Sequence, residues 1–277
     1  MNSTKLCLLQ NFSNYVLFII VFMGSGVLYL FVDPHQRGFF CNDDSIKYPF
    51  KISTISTPVL YTIAAILPII AMCIGEIIHT LSIINEREAV GSMKLSRSRL
   101  ICEQISHLCV TFLFGLAVTQ FTSDITKYSI GRLRPHFLDV CKPMDYNCTG
   151  NYVDVFKCGA GTDSGIKQSR LSFPSGHAAM SMYGMAYLVL YLQQRLHVPT
   201  VWLIKPFLQI LCLYLTLYCG LTRIFDYWHH PADVLTGFIL GFLVAFIMVA
   251  KVNNFFAVQE ILPASDRERR ASSVKII

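Results

Sequence analysis

The sequence predicts an all-α polytopic membrane protein with six transmembrane helices and a catalytic site at the outer or lumenal end of the bundle. Two observations predict the fold class. Only 14% of residues are charged, against about 25% in soluble domains. Apolar stretches near the roughly 20 residues that cross a bilayer recur six times, at about 15–32, 58–83, 105–121, 175–192, 201–221 and 233–252. A third observation points to the site: basic, imidazole and carboxylate side chains gather at the edges of these stretches, where charge is costly unless it serves chemistry.

The first stretch is too long for a signal peptide and lacks a clear small-residue cleavage site, so it reads as a retained span. The six spans form one domain, residues 1–252, with a long loop at about 136–172 and a mobile tail at 253–277. The formal charge of +6 is spread over loops without aromatic interleaving, which argues against nucleic acid as a partner.

The positive-inside count is close to balanced until Lys127, Arg134 and Arg223 are set aside as functional cations. The remainder, helped by the basic loop at 86–100, favours cytosolic termini. Asn147-Cys-Thr149 is a glycosylation sequon in the long loop, on the side assigned as outside. Cys41, Cys141, Cys148 and Cys158 fall on the same side. They allow three pairings, and disulfides are favoured if that side is lumenal or extracellular. The expected location is the plasma membrane or a secretory-pathway membrane.

Three segments carry the chemistry. They are Lys127-Tyr-Ser-Ile-Gly-Arg-Leu-Arg134-Pro135, Pro174-Ser175-Gly176-His177, and Thr222-Arg223 followed by His229 and Asp233. The first follows the third span, the second opens the fourth, and the third lies between the fifth and sixth. An even number of crossings separates them, so all three emerge on one face.

Pro174 precedes an apolar run, which places Ser175, Gly176 and His177 in a first helical turn whose free N–H groups suit an anion. Asp233, four residues after His229, is placed to hold one imidazole nitrogen and leave the other free to attack phosphorus. Lys127 and Arg134, seven apart, share a helical face if the third helix projects beyond the bilayer. With Arg223 they offer three cations to one phosphate. Arg132 points elsewhere on such a helix and reads as a surface residue.

These segments match the patterns KxxxxxxRP, PSGH and, with Thr222 in place of serine, SRxxxxxHxxxD. They resemble the three signatures of the type 2 phosphatidic acid phosphatase superfamily. The spans, motif positions and central loop are similar to its lipid phosphate phosphatase branch, over roughly residues 10–252.

The resemblance implies hydrolysis of lipid phosphate monoesters without metal or cofactor. His229 attacks to form a phosphohistidine, Asp233 orients it, and His177 acts as general acid and then base. Lys127, Arg134, Arg223, Ser175 and the Gly176 amide hold the phosphate. The implied substrates are phosphatidate, lysophosphatidate, sphingosine 1-phosphate and ceramide 1-phosphate. The alternatives are a phosphatase or transferase on the same scaffold for another phosphate ester or a polyprenyl diphosphate, and a non-enzymatic binder of lipid phosphates.

Other signals are weaker. Glu76 and His79 form a single Glu-x-x-His, expected to pack rather than bind metal. Gly237 and Gly241 permit close helix packing within the chain, with a homo-oligomer as the alternative. Ser272 follows Arg269-Arg270 and resembles a phosphorylation site.

Overall fold

A computed structural model describes residues 3–89, 97–144, 151–196 and 199–252. Asn147, Cys148 and the tail with Ser272 lie outside the described residues. The long helices are α1 (Ser3–Phe31), α3 (Leu67–Ala89), α4 (Arg97–Ile130), α7 (Gly176–Arg195), α8 (Ile204–Phe225) and α9 (Pro231–Ile247). A short α2 (Thr57–Tyr61) runs through a π-helical turn at Thr62–Ile66 into α3. The site end carries α5 (Phe137–Cys141) and α6 (Asp163–Ser169).

Among the described residues, five helical segments are long and apolar enough to cross a membrane: Phe12–Phe31, Thr57–Ser82, Ile101–Ile130, Ile204–Phe225 and Pro231–Val252. The expected fourth span corresponds to α7, which has the length but not the apolar composition. The physical reason is its place in the bundle. Helix α7 packs against α3, α4, α8 and α9, and 12 of its 20 residues are buried. Its surroundings are protein, so it uses small and aromatic residues instead of lipid-facing aliphatics.

Tyr183, Tyr187 and Tyr191 of α7 form the core with Phe112 and Met72. Buried phenols need partners, and two find backbone carbonyls: Tyr183 donates to Phe112 O at 2.7 Å and Tyr191 to Met72 O at 3.2 Å. Gly237 and Gly241 lie against the α7 backbone at Ser175 and Ala179, where a Cβ has no room. The GxxxG pattern therefore serves packing within the chain. At the far end of α7, Arg195 Nε pairs with buried Glu76 at 3.0 Å and Nη1 lies 3.3 Å from His79 Nε2, so the Glu-x-x-His spacing serves packing too.

The loops at the site end fold into a small layer with its own core of Phe39, Ile46, Leu133, Phe137, Cys141 and Val153. Strand β1 (Phe39–Phe40) pairs antiparallel with β3 (Tyr152–Val153), and β2 (Pro143–Met144) with β4 (Lys157–Cys158). These ribbons modify the all-α expectation. Cys141 and Cys158 form a disulfide across the β2–β4 ribbon, and Cys41 is also disulfide-bonded.

Candidate active site

The end of one helix and the start of the next bring the motif residues together. Lys127 lies in the last turn of α4, Gly176 and His177 in the first turn of α7, Arg223 in the last turn of α8, and Asp233 in the first turn of α9. All sit at one end of the bundle.

Ser175 is the N-cap of α7, its hydroxyl accepting from Ala178 N at 3.4 Å. Ser175 N in turn donates to Asp233 O at 2.9 Å, which joins the starts of α7 and α9. Lys127 Nζ approaches Gly176 so closely that a Cβ there would sit 2.9 Å from it. The lysine and the α7 N-terminus thus share one small space, an arrangement that favours an anion.

Arg134 was expected to share a helical face with Lys127, but it lies beyond the end of that helix. Helix α4 ends at Ile130, and Gly131 turns the chain with φ +58°. Non-glycine residues rarely adopt that conformation. Arg134 therefore enters the site from the following turn. Its side chain is 2% exposed, its Nη2 donates to Leu171 O at 3.3 Å, and its guanidinium carbon lies 4.7 Å from the Trp228 ring centre. Nε and Nη1 are buried with no protein partner. Burial, then repulsion from Arg223, draws its pKa down to about 9, which still leaves it charged at neutral pH.

Arg223 is more committed than expected. Four of its five N–H groups are engaged: Nε and Nη2 on Thr222 Oγ1, Nη2 also on Asp226, and Nη1 on Ser53 Oγ at 2.7 Å. The Thr222 hydroxyl is itself held, donating to Cys219 O at 2.8 Å. Threonine thus keeps the hydroxyl that the serine of the motif would supply.

His229 is buried, with Nδ1 2.6 Å from the Ser172 carbonyl oxygen. A carbonyl only accepts, so Nδ1 carries the proton and Nε2 keeps its lone pair. Burial, with the charges of Arg134 and Lys127 added, outweighs Asp233 and lowers the imidazole to about 3. The same reasoning puts a proton on His177 Nε2, which faces Ile55 O at 3.2 Å, and leaves Nδ1 as its basic nitrogen.

Asp233 corrects a sequence expectation. Its nearest carboxylate oxygen is 3.8 Å from His229 Nδ1, too far for a hydrogen bond. The carboxylate is 0% exposed and receives Ser172 Oγ at 2.6 Å, His230 N at 3.0 Å and Arg132 Nη1 at 2.5 Å, with His230 Nδ1 at 3.2 Å. It accepts instead from the side chain of Ser172, the residue whose carbonyl holds the ring. Arg132 is likewise not a plain surface residue: leaving the helix at Gly131 turns it back onto Asp233.

Sequence reasoning missed Ser172 and the segment at 48–55. That segment supplies Ser53 to Arg223, Ile55 O to His177, and Thr54 to Asp226 through bonds of 2.7 and 2.9 Å. The polar run Ser53-Thr54-Ile55-Ser56-Thr57 before the second span, on the motif face by crossing parity, is the signal that would have found it.

A family comparison matches residues 108–257 to the PAP2 superfamily. The chain belongs to the PAP2 superfamily. The PAP2 match runs from α4 through α9 and so contains every motif residue, whereas the 48–55 segment lies before it. Among curated relatives, the chain is 40% identical to phospholipid phosphatase 1 of Rattus norvegicus, over 87% of this chain and 82% of that one. It is 35% identical to phospholipid phosphatase 2 of Homo sapiens, over 92% and 87%. It is also 35% identical to a putative phosphatidate phosphatase of Drosophila melanogaster, over 86% and 67%. No solved structure matches the chain. The chain is thus a membrane phosphatase of the PAP2 superfamily.

Proposed function

We propose that this PAP2 phosphatase dephosphorylates lipid phosphate monoesters through a phosphohistidine on His229. The observation that carries the reading is the buried, unpartnered Nε and Nη1 edge of Arg134. Leaving such donors unmet is costly, and a phosphate oxygen pair matches a guanidinium edge. His229 Nδ1 is held by the Ser172 carbonyl, so Nε2 keeps its lone pair for attack on a phosphate held by Arg134.

In the first step a monoanionic phosphate ester gives its proton to His177 Nδ1, and His229 Nε2 attacks phosphorus. The ester P–O bond breaks, and the leaving lipid oxygen takes that proton from His177. In the second, His177 removes a proton from water, which displaces His229 and releases inorganic phosphate. Lys127, Arg134, the remaining N–H of Arg223, Ser175 and the Gly176 amide carry the negative charge of the phosphoryl oxygens. Asp233 and Arg132 hold the Ser172 carbonyl behind His229.

Phosphatidate, lysophosphatidate, sphingosine 1-phosphate and ceramide 1-phosphate are the proposed substrates. The relatives' names, with phospholipid and phosphatidate in them, and the apolar helices that carry the site both support this class. We place the site on the outer or lumenal side, with cytosolic termini. The Cys141–Cys158 disulfide at the site end favours an oxidising compartment.

The test is phosphate release from a panel of these lipids in EDTA, wild type against His229→Ala. Turnover by the wild type alone supports the reading. Strict dependence on added magnesium sinks the mechanism. Preference for a sugar phosphate or polyprenyl diphosphate shifts the substrate class, and lipid binding without hydrolysis returns the chain to a non-enzymatic role.

A further inference from the structure

The segment at 48–55 is tied down nearly residue by residue. Tyr48 N donates to Pro135 O at 3.0 Å and Phe50 N to Asp139 at 2.8 Å. Trp228 Nε1 donates to Lys51 O at 2.9 Å, and the Lys51 ammonium reaches Phe225 O at 3.3 Å while lying 4.3 Å from the Tyr227 ring centre. Beyond it come the Ser53 bond to Arg223, the Thr54 bonds to Asp226 and the Ile55 carbonyl at His177. Between Lys51 and Ser53, both pinned, stands Ile52, 86% exposed. A strap held on both sides of one residue presents that residue outward, and here the residue is a large aliphatic.

The level of Ile52 in the bundle follows from its neighbours. Phe225, whose carbonyl Lys51 binds, ends one membrane-length helix, and Thr57 begins another. Five residues of chain span at most about 18 Å. Phe225 is itself 61% exposed and continues the lipid-facing side of α8. A lysine beside a tryptophan and two tyrosines (Trp228, Tyr227 and Tyr48) is the composition of a bilayer interface, where amphipathic rings and snorkelling ammonium groups settle.

We infer that this strap is the lipid-contacting lip of the site. Ile52 lies at the boundary between hydrocarbon and headgroups and meets the chain-bearing part of the substrate. Ser53 and Ile55, next along the strap, hold Arg223 and His177. The inference rests on the lipid phosphate reading and deepens it: it names the element that distinguishes a lipid ester from a bare phosphate.

The test uses the full chain in nanodiscs, with dioleoyl phosphatidate as substrate and inorganic phosphate as inhibitor. Ile52→Asp lowers kcat/KM for the lipid by about tenfold, the scale of losing one buried aliphatic contact, with the Ki of inorganic phosphate unchanged. Ile52→Leu restores turnover. An unchanged kcat/KM, or a Ki that weakens in step, overturns the inference. A second measurement does not depend on turnover. Ile52→Trp adds fluorescence that brominated acyl chains quench; added emission that is unquenched and water-exposed overturns the inference. If the wild type hydrolyses no lipid phosphate, the functional reading fails, and quenching still decides whether Ile52 meets the bilayer.

Discussion

His229 Nδ1 lies 2.6 Å from the Ser172 carbonyl oxygen and 3.8 Å from the nearest oxygen of Asp233. The ring nitrogen is therefore held by a backbone group, and the carboxylate bonds the side chain of the same residue. Ser172 Oγ and Arg132 both close on Asp233. Arg132→Ala leaves the Asp233 charge with less compensation. Because Arg132 is 32% exposed, the expected loss lies between the surface and buried limits, about 1–3 kcal/mol. Thermal unfolding in detergent measures it, and Arg132→Lys recovers part of the loss.

Arg134→Lys keeps the charge but not the fork. The buried Nε and Nη1 edge, which has no protein partner, is the feature lost, at about 1.5–3 kcal/mol for a hydrogen bond to a charged group. The expected outcome is inhibition by inorganic phosphate weakened about 10- to 100-fold, read as Ki, with the thermal midpoint little changed.

Gly176→Ala brings a methyl to 2.9 Å from Lys127 Nζ. The tip of a lysine moves easily, so the fold tolerates the change while the ammonium leaves its place. A fall in kcat/KM of about tenfold, the worth of one displaced charge–phosphate contact, with wild-type thermal stability is expected. Gly241→Ala is the contrast. Its methyl meets the Ala179 carbonyl, a backbone atom, so stability falls first; detergent unfolding curves separate the two variants.

Stability falls as pH drops below about 6.5. Burial, then the Arg134 charge, lowers His136 to about 4, and burial lowers His229 to about 3. Between about 6.5 and those values the unfolded chain binds protons that the folded chain refuses, so acid favours unfolding. The thermal midpoint is expected to be level above about pH 7 and to decline towards pH 4. Burial lowers His177 as well, to about 2. His136→Gln removes one of these three contributions and flattens the slope; a slope unchanged by that substitution counts against the assignment.

Much of the site was legible because its chemistry needs particular residue types at helix ends. Pro174-Ser175 marks a helix start, and the Ser175 hydroxyl caps α7. Pro231 and Asp233 mark the next, where His230 and Asp233 form a capping box. Crossing parity put these ends on one face. Ser172 was not legible, since its contribution to His229 is a carbonyl that every residue carries. Arg132 was misread because helical spacing was extended past Gly131, where the chain turns. Helix α7 was read as an ordinary span from its length; its less apolar composition fits neighbours that are protein, which the helix's own sequence does not name.

By itself the sequence determined the family, the helical membrane class and the set of groups able to handle a phosphate, because apolar length and motif spacing are local properties. Only the tertiary structure decided how those groups are coupled. Arg223 is engaged by Ser53 and Asp226, His229 is held by the Ser172 carbonyl, and Arg134 has a buried guanidinium edge with no protein partner. Hydrogen bonds between segments far apart in the chain depend on packing geometry, which no local spacing encodes.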